Sequence, residues 1–258
     1  MKTVQDQQAF FEKHRDALRA ALETDGAPGA VRWIEGFEDD LERRVLYVFG
    51  RQGLVMEEWE GRSFDAYVEF VEAGLADILK QAEAAPDDET RTARHQTAHA
   101  VSFNLAADLA ECWPDDDDPR ETRHFERGVR AAEDCLTWCA PDNLHAQSAD
   151  HWILGTHRLS LGDASGAAES FGRAFEIAGQ AARDGGKPDT VSAEGDFAVI
   201  LYSGYLGIAQ ERTGDAAGGS RFDRAVAAFT AQLGDAEMKD DAEFGIAQLK
   251  EARAIPAR

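Results

Sequence analysis

The sequence is poor in lysine and proline, and it has no long uncharged apolar run. Only six lysines accompany 21 arginines, against 49 acidic residues, so the net charge is −22. A field of that sign repels nucleic acid phosphates and anionic membrane surfaces. No apolar stretch reaches the roughly 18 residues that a membrane-spanning helix needs. We therefore predict no nucleic-acid partner and no membrane partner.

Cysteine is also scarce, which bears on the cellular compartment. Cys112, Cys135 and Cys139 are an odd number, without the secretory context in which disulfide frameworks form. Residues 1–16 lack the apolar core of a signal peptide. Together these features predict reduced thiols and a cytoplasmic protein.

Apolar residues at helical spacing are abundant. They make up 43% of the 258 residues, which is too many for a disordered chain even with 29% charged residues. A chain of this length can also bury a core without a metal or a disulfide. Glycine, proline and aspartate breaks divide the apolar pattern into ten predicted helices. These are 4–23, about 28–48, 63–84, 90–112, 120–138, a sixth ending at 161, 164–183, 193–213, 220–233 and 239–253.

Residues 44–59 fit two kinds of structure. Their valine, tyrosine and phenylalanine residues favour strands, and Gln52-Gly53 could turn a short hairpin. The neighbouring segments, however, are all helical by periodicity. We favour a continued helix or an irregular linker.

Two helical hairpins in the second half of the chain resemble each other. Residues 153–175 read ILGTHRLSLGDASGAAESFGRAF, and residues 205–226 read YLGIAQERTGDAAGGSRFDRAV. In both, a Leu-Gly pair stands seven residues before a Gly-Asp pair. A helix rich in small residues follows, with a phenylalanine and an alanine at matching offsets after a one-residue deletion in the second copy.

This pattern resembles the tetratricopeptide repeat. In that family the Leu-Gly pair packs the first helix, Gly-Asp turns the chain, and a small residue, an aromatic residue and an alanine pack the second helix. The resemblance assigns these roles to Leu154, Gly155, Gly162, Asp163, Ala167, Phe171 and Ala174, and to Leu206, Gly207, Gly214, Asp215, Gly218, Phe222 and Ala225. The usual tryptophan of the repeat start is His151 here. The copies lie 52 residues apart, against about 34 in the family, so we expect longer helices.

These observations predict an all-α fold. We expect antiparallel helical hairpins stacked as a tetratricopeptide-like α-solenoid with long helices, because one hairpin cannot bury its apolar stripe alone. A single all-α bundle is the alternative. Residues 1–89 would form an N-terminal helical region, and residues 90–258 the hairpin array with a C-terminal capping helix. The segment 197–208 is apolar on all sides, which predicts a central helix.

Histidine and cysteine pairs are the first candidates for chemistry. His95 and His99 stand one helical turn apart, as do Cys135 and Cys139, and Cys112 precedes the second pair. Such residues could hold a metal across a hairpin. Buried thiols and solvent-facing histidines explain the same pattern with fewer requirements, so we predict no metal site.

Acidic clusters are the second candidates. The run 115–118 lacks the alternating ligands and central glycine of a calcium loop, and it fits negative charge at the start of a helix. Glu57, Glu58 and Glu60 beside Trp59 fit a solvated face. No nucleophile motif or phosphate-binding loop is present in the sequence. We therefore predict no catalytic residue, no cofactor and no enzymatic activity.

The resemblance implies a function in protein binding. Tetratricopeptide arrays bind peptides along a concave groove lined by the first helix of each hairpin. The matched positions are Trp152, Thr156, Leu159, Ser160, Ile208, Glu211 and Arg212. In the alternative interpretation, the larger apolar residues among them belong to the core.

We predict an interaction scaffold or adaptor that binds a basic or neutral peptide or helical segment. The alternatives are a self-associating structural protein, which would be a homo-oligomer, and a metal-binding helical-bundle enzyme.

Overall fold

The computed structural model describes every residue except 2, 58, 115, 117, 257 and 258, and it leaves the side chains of 53 and 54 undescribed. The described residues form ten α-helices, one π-helical turn and no β-strand, which confirms the all-α prediction. The helices are α1 Val4–Glu35, α2 Asp40–Gly50, α3 Phe64–Glu83, α4 Asp88–Leu109, α5 Thr122–Trp138, α6 Leu144–Ser160, α7 Ala164–Asp184, α8 Phe197–Arg212, α9 Ala217–Gln232 and α10 Lys239–Ala254. The π-helical turn, Arg51–Val55, follows α2 directly.

The chain forms two compact units, residues 1–105 and residues 106–258. The division falls within α4, 16 residues after the boundary at 89/90 that the sequence pattern predicts. None of the helices in the described part of the chain is both long and apolar enough to cross a bilayer.

In the first unit, the predicted second helix is interrupted. Asp25 and Gly26 leave helical geometry, with φ at Gly26 of +67°, so α1 consists of two helical segments that meet where the sequence predicts the first helix to end, and the second segment ends at Glu35. A new helix starts after Asp39, whose side chain accepts the N–H groups of Leu41 and Glu42 at 2.8 and 3.0 Å. The prediction of one helix over 28–48 is therefore wrong, because an aspartate cap begins α2 inside that range. The chain then stays helical through the π-helical turn, as favoured for the first part of 44–59.

In the second unit, consecutive helices pack against one another, and the two resembling hairpins, α6–α7 and α8–α9, have the same turn. Gly162 and Gly214 adopt φ of +79° and +83°. The next residue, Asp163 or Asp215, donates its N–H to the carbonyl five residues back at 2.9 Å in both turns. This is the Schellman ending of a helix, which needs a left-handed residue and so favours glycine. The sequence signal Gly-Asp therefore marks a real structural equivalence.

Helix α8 lies at the centre of the second unit. Every residue from Val199 to Ala209 is buried, as its all-round apolar pattern predicts. It packs against α7, α9 and α10. A Cβ at Gly204 would lie 2.6 Å from the Leu249 side chain of α10, so the glycine makes room for that leucine.

The second unit also closes on itself. The Gln248 amide on α10 lies 3.9 Å from Cys112 Sγ, although the two residues are 136 positions apart in the chain. The Phe244 ring on the same helix stacks 6.4 Å from that of Trp113. The first and last segments of the unit are therefore in contact, whereas each repeat of an open solenoid touches only its neighbours.

Candidate binding cleft

The residues predicted to line a groove are mostly buried. Five of them are no more than 6% exposed: Trp152, Thr156, Leu159, Ser160 and Ile208. The other two, Glu211 and Arg212, are partly exposed but engaged. Glu211 accepts a hydrogen bond from Arg253 at 2.7 Å, and Arg212 donates to the carbonyl of Ile255.

The chain's own segments fill the predicted groove. Trp113 packs edge-on against Trp152, with ring centroids 5.8 Å apart, and Leu249 of α10 lies on α8 at Gly204. The faces of α6 and α8 that an open array would leave for a peptide are therefore covered. In this structure the five buried residues are core residues, and a partner could reach them only by displacing these segments.

Among the candidate metal-ligating thiols, Cys112 has different neighbours from Cys135 and Cys139. Cys112 lies beside Gln248, and burial raises the pKa of its thiol to about 11. Burial and the carboxylate of Asp150 raise the pKa of Cys139 to about 12, and they also raise the pKa of Cys135. Because thiolates are the nucleophiles and metal ligands, these three groups are held in their less reactive form at neutral pH. His95 and His99 lie on α4, in the part assigned to the first unit.

The acidic clusters are engaged in local ion pairs. Glu57 accepts hydrogen bonds from Arg15 at 2.7 and 2.8 Å and also pairs with Arg19. Asp116 accepts from Arg120 at 2.6 Å, in the loop before α5. Glu58, Asp115 and Asp117 lie outside the described residues. Glu57 and Asp116 therefore each balance arginines of their own unit.

An open cleft of about 560 Å³ lies in the first unit, at a place that sequence reasoning did not predict. Its lining comes from α1, α2, the π-helical turn, α3 and α4. Aromatic and branched aliphatic side chains form the apolar part of this lining. They include Phe11, Tyr47, Val48, Val71, Ile78 and Val101. The volume is within the roughly 300–1,000 Å³ range of pockets that hold small ligands or side chains of a partner.

The π-helical turn brings a cation to the wall of this cleft. Arg51, the first residue of the turn, is 7% exposed and donates to the hydroxyl of Tyr67 at 3.0 Å. Single π-helical turns commonly occur at functional sites, because the extra residue per turn rotates the following side chains. The only local sequence signal was the apolar run around Gln52-Gly53, which indicates no particular helix type.

A glycine on α3 sets the position of the cleft's largest ring. A Cβ at Gly74 would lie 2.9 Å from Cβ and Cγ of Tyr47, so only glycine lets this ring lie against α3. Tyr47 also contacts Phe70, with ring centroids 5.4 Å apart. Burial raises the pKa of Tyr47 and keeps its phenol neutral. The floor of the cleft is thus apolar, with the hydroxyl group of Tyr47 as a polar group. Of its six large side chains named above, Val48 is exposed, and the other five are no more than 8% exposed.

The rim of the cleft is polar but nearly uncharged. It contains the side chains of Gln8, Gln52, Thr97 and Asn104. Among the lining residues that the structure describes, Glu12 is the one carboxylate and Arg51 the one guanidinium. The cleft is therefore a nearly neutral and apolar area on a chain whose net charge is −22.

The cleft therefore combines an apolar floor, a neutral hydrogen-bonding rim and an opening to solvent. This chemistry suits binding of an apolar group. The resemblance of the α6–α7 and α8–α9 hairpins to tetratricopeptide repeats stays a prediction. Comparisons with protein-family models, with curated proteins and with solved structures find no match to this chain.

Proposed function

We propose that this protein is a binding protein without catalytic activity, which holds a peptide or helical segment of another protein in the cleft of its first unit. One observation carries the proposal: an open cleft of about 560 Å³ with an aromatic and aliphatic floor. The interaction scaffold expected from the hairpin pattern is kept, but its binding surface is assigned to a different part of the chain.

The floor supplies the attraction for such a segment. Each large apolar side chain that becomes buried there contributes about 1.5–3 kcal/mol. The amide groups of Gln8, Gln52 and Asn104 at the rim supply donors and acceptors for the main chain of the bound segment. Affinity would then come from one or two apolar anchors, as in other helix-in-groove complexes.

The charge of the unit selects the kind of segment. Residues 1–105 contain 12 basic and 21 acidic residues, a net charge of −9. This field attracts basic segments and repels acidic ones over about a Debye length. The preferred partner is therefore an apolar segment with neutral or basic flanks, because the lining itself is close to neutral.

A selection experiment with a matched pair of variants tests this function. Peptides recovered from a phage-displayed random library on the full chain should lose at least tenfold in affinity for Val48→Arg. Val48 lies on the cleft wall and is 38% exposed, so the substitution leaves the core intact but requires burial of a charge on binding. Isothermal titration with the recovered peptides measures the change.

The control is Val4→Arg, the same substitution at a valine that is 65% exposed and does not line the cleft. It should change affinity by less than about twofold. Equal affinity for the natural chain and Val48→Arg, or failure to recover any peptide, would contradict the proposed function.

A further inference from the structure

The outer face of the last two helices carries a second groove, in the second unit and unrelated to the cleft. It lies between α9 and α10 and has a volume of about 530 Å³. Its apolar part consists of Val226 of α9, Leu233 directly after α9, and Ile246 and Ala247 of α10, and all four are partly exposed. We call this surface the terminal groove. Consecutive helices of this unit pack against one another, and α9 and α10 leave this apolar face open.

Two of the three charged side chains that line this groove, Glu243 and Lys250, are placed symmetrically about its middle, whereas the third, Glu251, has Ala242 at its symmetric position. Glu243 and Lys250 are two helical turns apart, and both are exposed on the groove side of α10. The point midway between them is also the point midway between Ile246 and Ala247. An antiparallel copy of α10 with its two-fold axis at that point places each Glu243 opposite the other copy's Lys250. It also places each Ile246 opposite an Ala247.

We propose that the terminal groove is the face through which two copies of this chain pair. In a two-fold dimer the same patch is used by both partners, so it must be self-complementary. Binding of a helix from another protein would not require a symmetric arrangement of charges on α10. Two antiparallel copies of α10 form two Glu243–Lys250 pairs, one on each side of the apolar Ile246 and Ala247. Each α10 would contact α10 and α9 of the other copy, which is the packing of an antiparallel four-helix layer.

The existing contacts of α10 leave these groups available. Glu243 lies 3.7 Å from Lys239 on its own helix, but both side chains are more than half exposed, so this pair is weak. Two chains of charge −22 repel each other through solvent. Screening by salt weakens this long-range repulsion more than it weakens contacts at close range. The dimer should therefore tighten from about 0.02 to about 0.2 M salt, opposite to what pairing by charge alone would give.

Charge reversal on the full chain tests the pairing. Sedimentation equilibrium of the natural protein from about 5 to 500 µM should show a dimer whose share rises with concentration. The dissociation constant should lie within this range, as for weak specific association. Lys250→Glu places two glutamates opposite each other in each of the two pairs, so it should raise the dissociation constant at least tenfold. Glu243→Lys should have a similar effect. The double variant Glu243→Lys/Lys250→Glu restores both pairs with the charges exchanged, and it should return to within about threefold of the natural protein.

The control is Lys13→Glu, which makes the same change in net charge at an exposed position on α1. It should leave the dissociation constant within about twofold. A natural protein that stays monomeric to about 500 µM would overturn the proposal. So would a dimer that Lys250→Glu leaves unchanged, or a double variant that fails to regain association. Val48→Arg tests only the cleft, so failure of either proposal is visible separately.

Discussion

Replacement of Gly218 by alanine should destabilise the second unit by about 2 kcal/mol net. A Cβ at this position would lie 2.4 Å from the main-chain nitrogen of Glu211 and 2.7 Å from the carbonyl oxygen of Gly207. Both atoms belong to the main chain of α8, so no side chain can turn away to make room. The helices must separate, and the better helix propensity of alanine, about 1 kcal/mol, offsets only part of the cost.

Gly172→Ala is the matched control, because nothing lies within 4 Å of a Cβ built on this helical glycine of α7. It should stabilise the protein by about 0.5–1 kcal/mol through helix propensity alone. Urea unfolding followed by circular dichroism measures both changes. If the two substitutions shifted the unfolding midpoint in the same direction, close approach of α8 and α9 would not be what requires Gly218.

The comparison of the two hairpins explains why the second needs this glycine. In the first hairpin the corresponding residue is Ala167, and a Cβ at Gly155 would meet the ring of Phe171 at 2.6 Å. In the second, a Cβ at Gly207 would meet main-chain atoms of α9, at 2.7 Å from the nitrogen of Phe222. The deletion of one residue after the turn thus accompanies a closer approach of the two helix backbones.

Lowering the pH from about 6.5 to about 4 should cost the second unit roughly 3 kcal/mol through one histidine. His157 is fully buried, its Nε2 donates to the carbonyl of Ala106 at 2.8 Å, and a Cβ at Gly128 would lie 2.1 Å from its ring. Burial lowers the pKa of His157 from 6.5 to about 4. The unfolded chain therefore takes up a proton below about 6.5, while the folded chain stays neutral until about pH 4.

The sign of this effect is testable against a variant. His157→Gln removes the titrating group, so the stability difference between the natural protein and the variant should shrink as the pH falls through that range, and stay constant below it. Taking the difference cancels the protonation of surface carboxylates, which changes both proteins alike. Urea unfolding at a series of pH values measures it, and His145→Gln, at an exposed position, controls for the substitution itself. A difference independent of pH would show that His157 does not titrate in this way.

The parts of the fold that the sequence predicts are those fixed by neighbours in the chain. The helix ends at Gly162 and Gly214 can be predicted from the sequence, because a left-handed residue at a helix end depends on a few adjacent residues. The central position of α8 can also be predicted from the sequence, since apolar residues on every side of a helix leave no face for solvent. The division at Asp39 was missed because Phe37 and Leu41 continue the apolar spacing across a local cap.

The binding surfaces could not be predicted in the same way. Periodicity shows that Trp152 and Ile208 share faces with other apolar residues, but not whether another segment covers those faces. Trp113 and Leu249 cover them here, and both come from distant parts of the chain. The cleft likewise depends on Arg51, Gly74 and Val101 meeting from separate helices, and no spacing relates them.

Closure of the second unit has a consequence for how it folds. The α6–α7 and α8–α9 hairpins involve only neighbours in sequence, so each can form with little loss of chain entropy. The meeting of Cys112 with Gln248 instead closes a loop of 136 residues. The entropy cost of closing this loop exceeds the stabilisation from the contact until the hairpins between Cys112 and Gln248 have formed and reduced the length of flexible chain. We therefore expect the local hairpins to form early in folding and the docking of α10 onto the first segment to follow late.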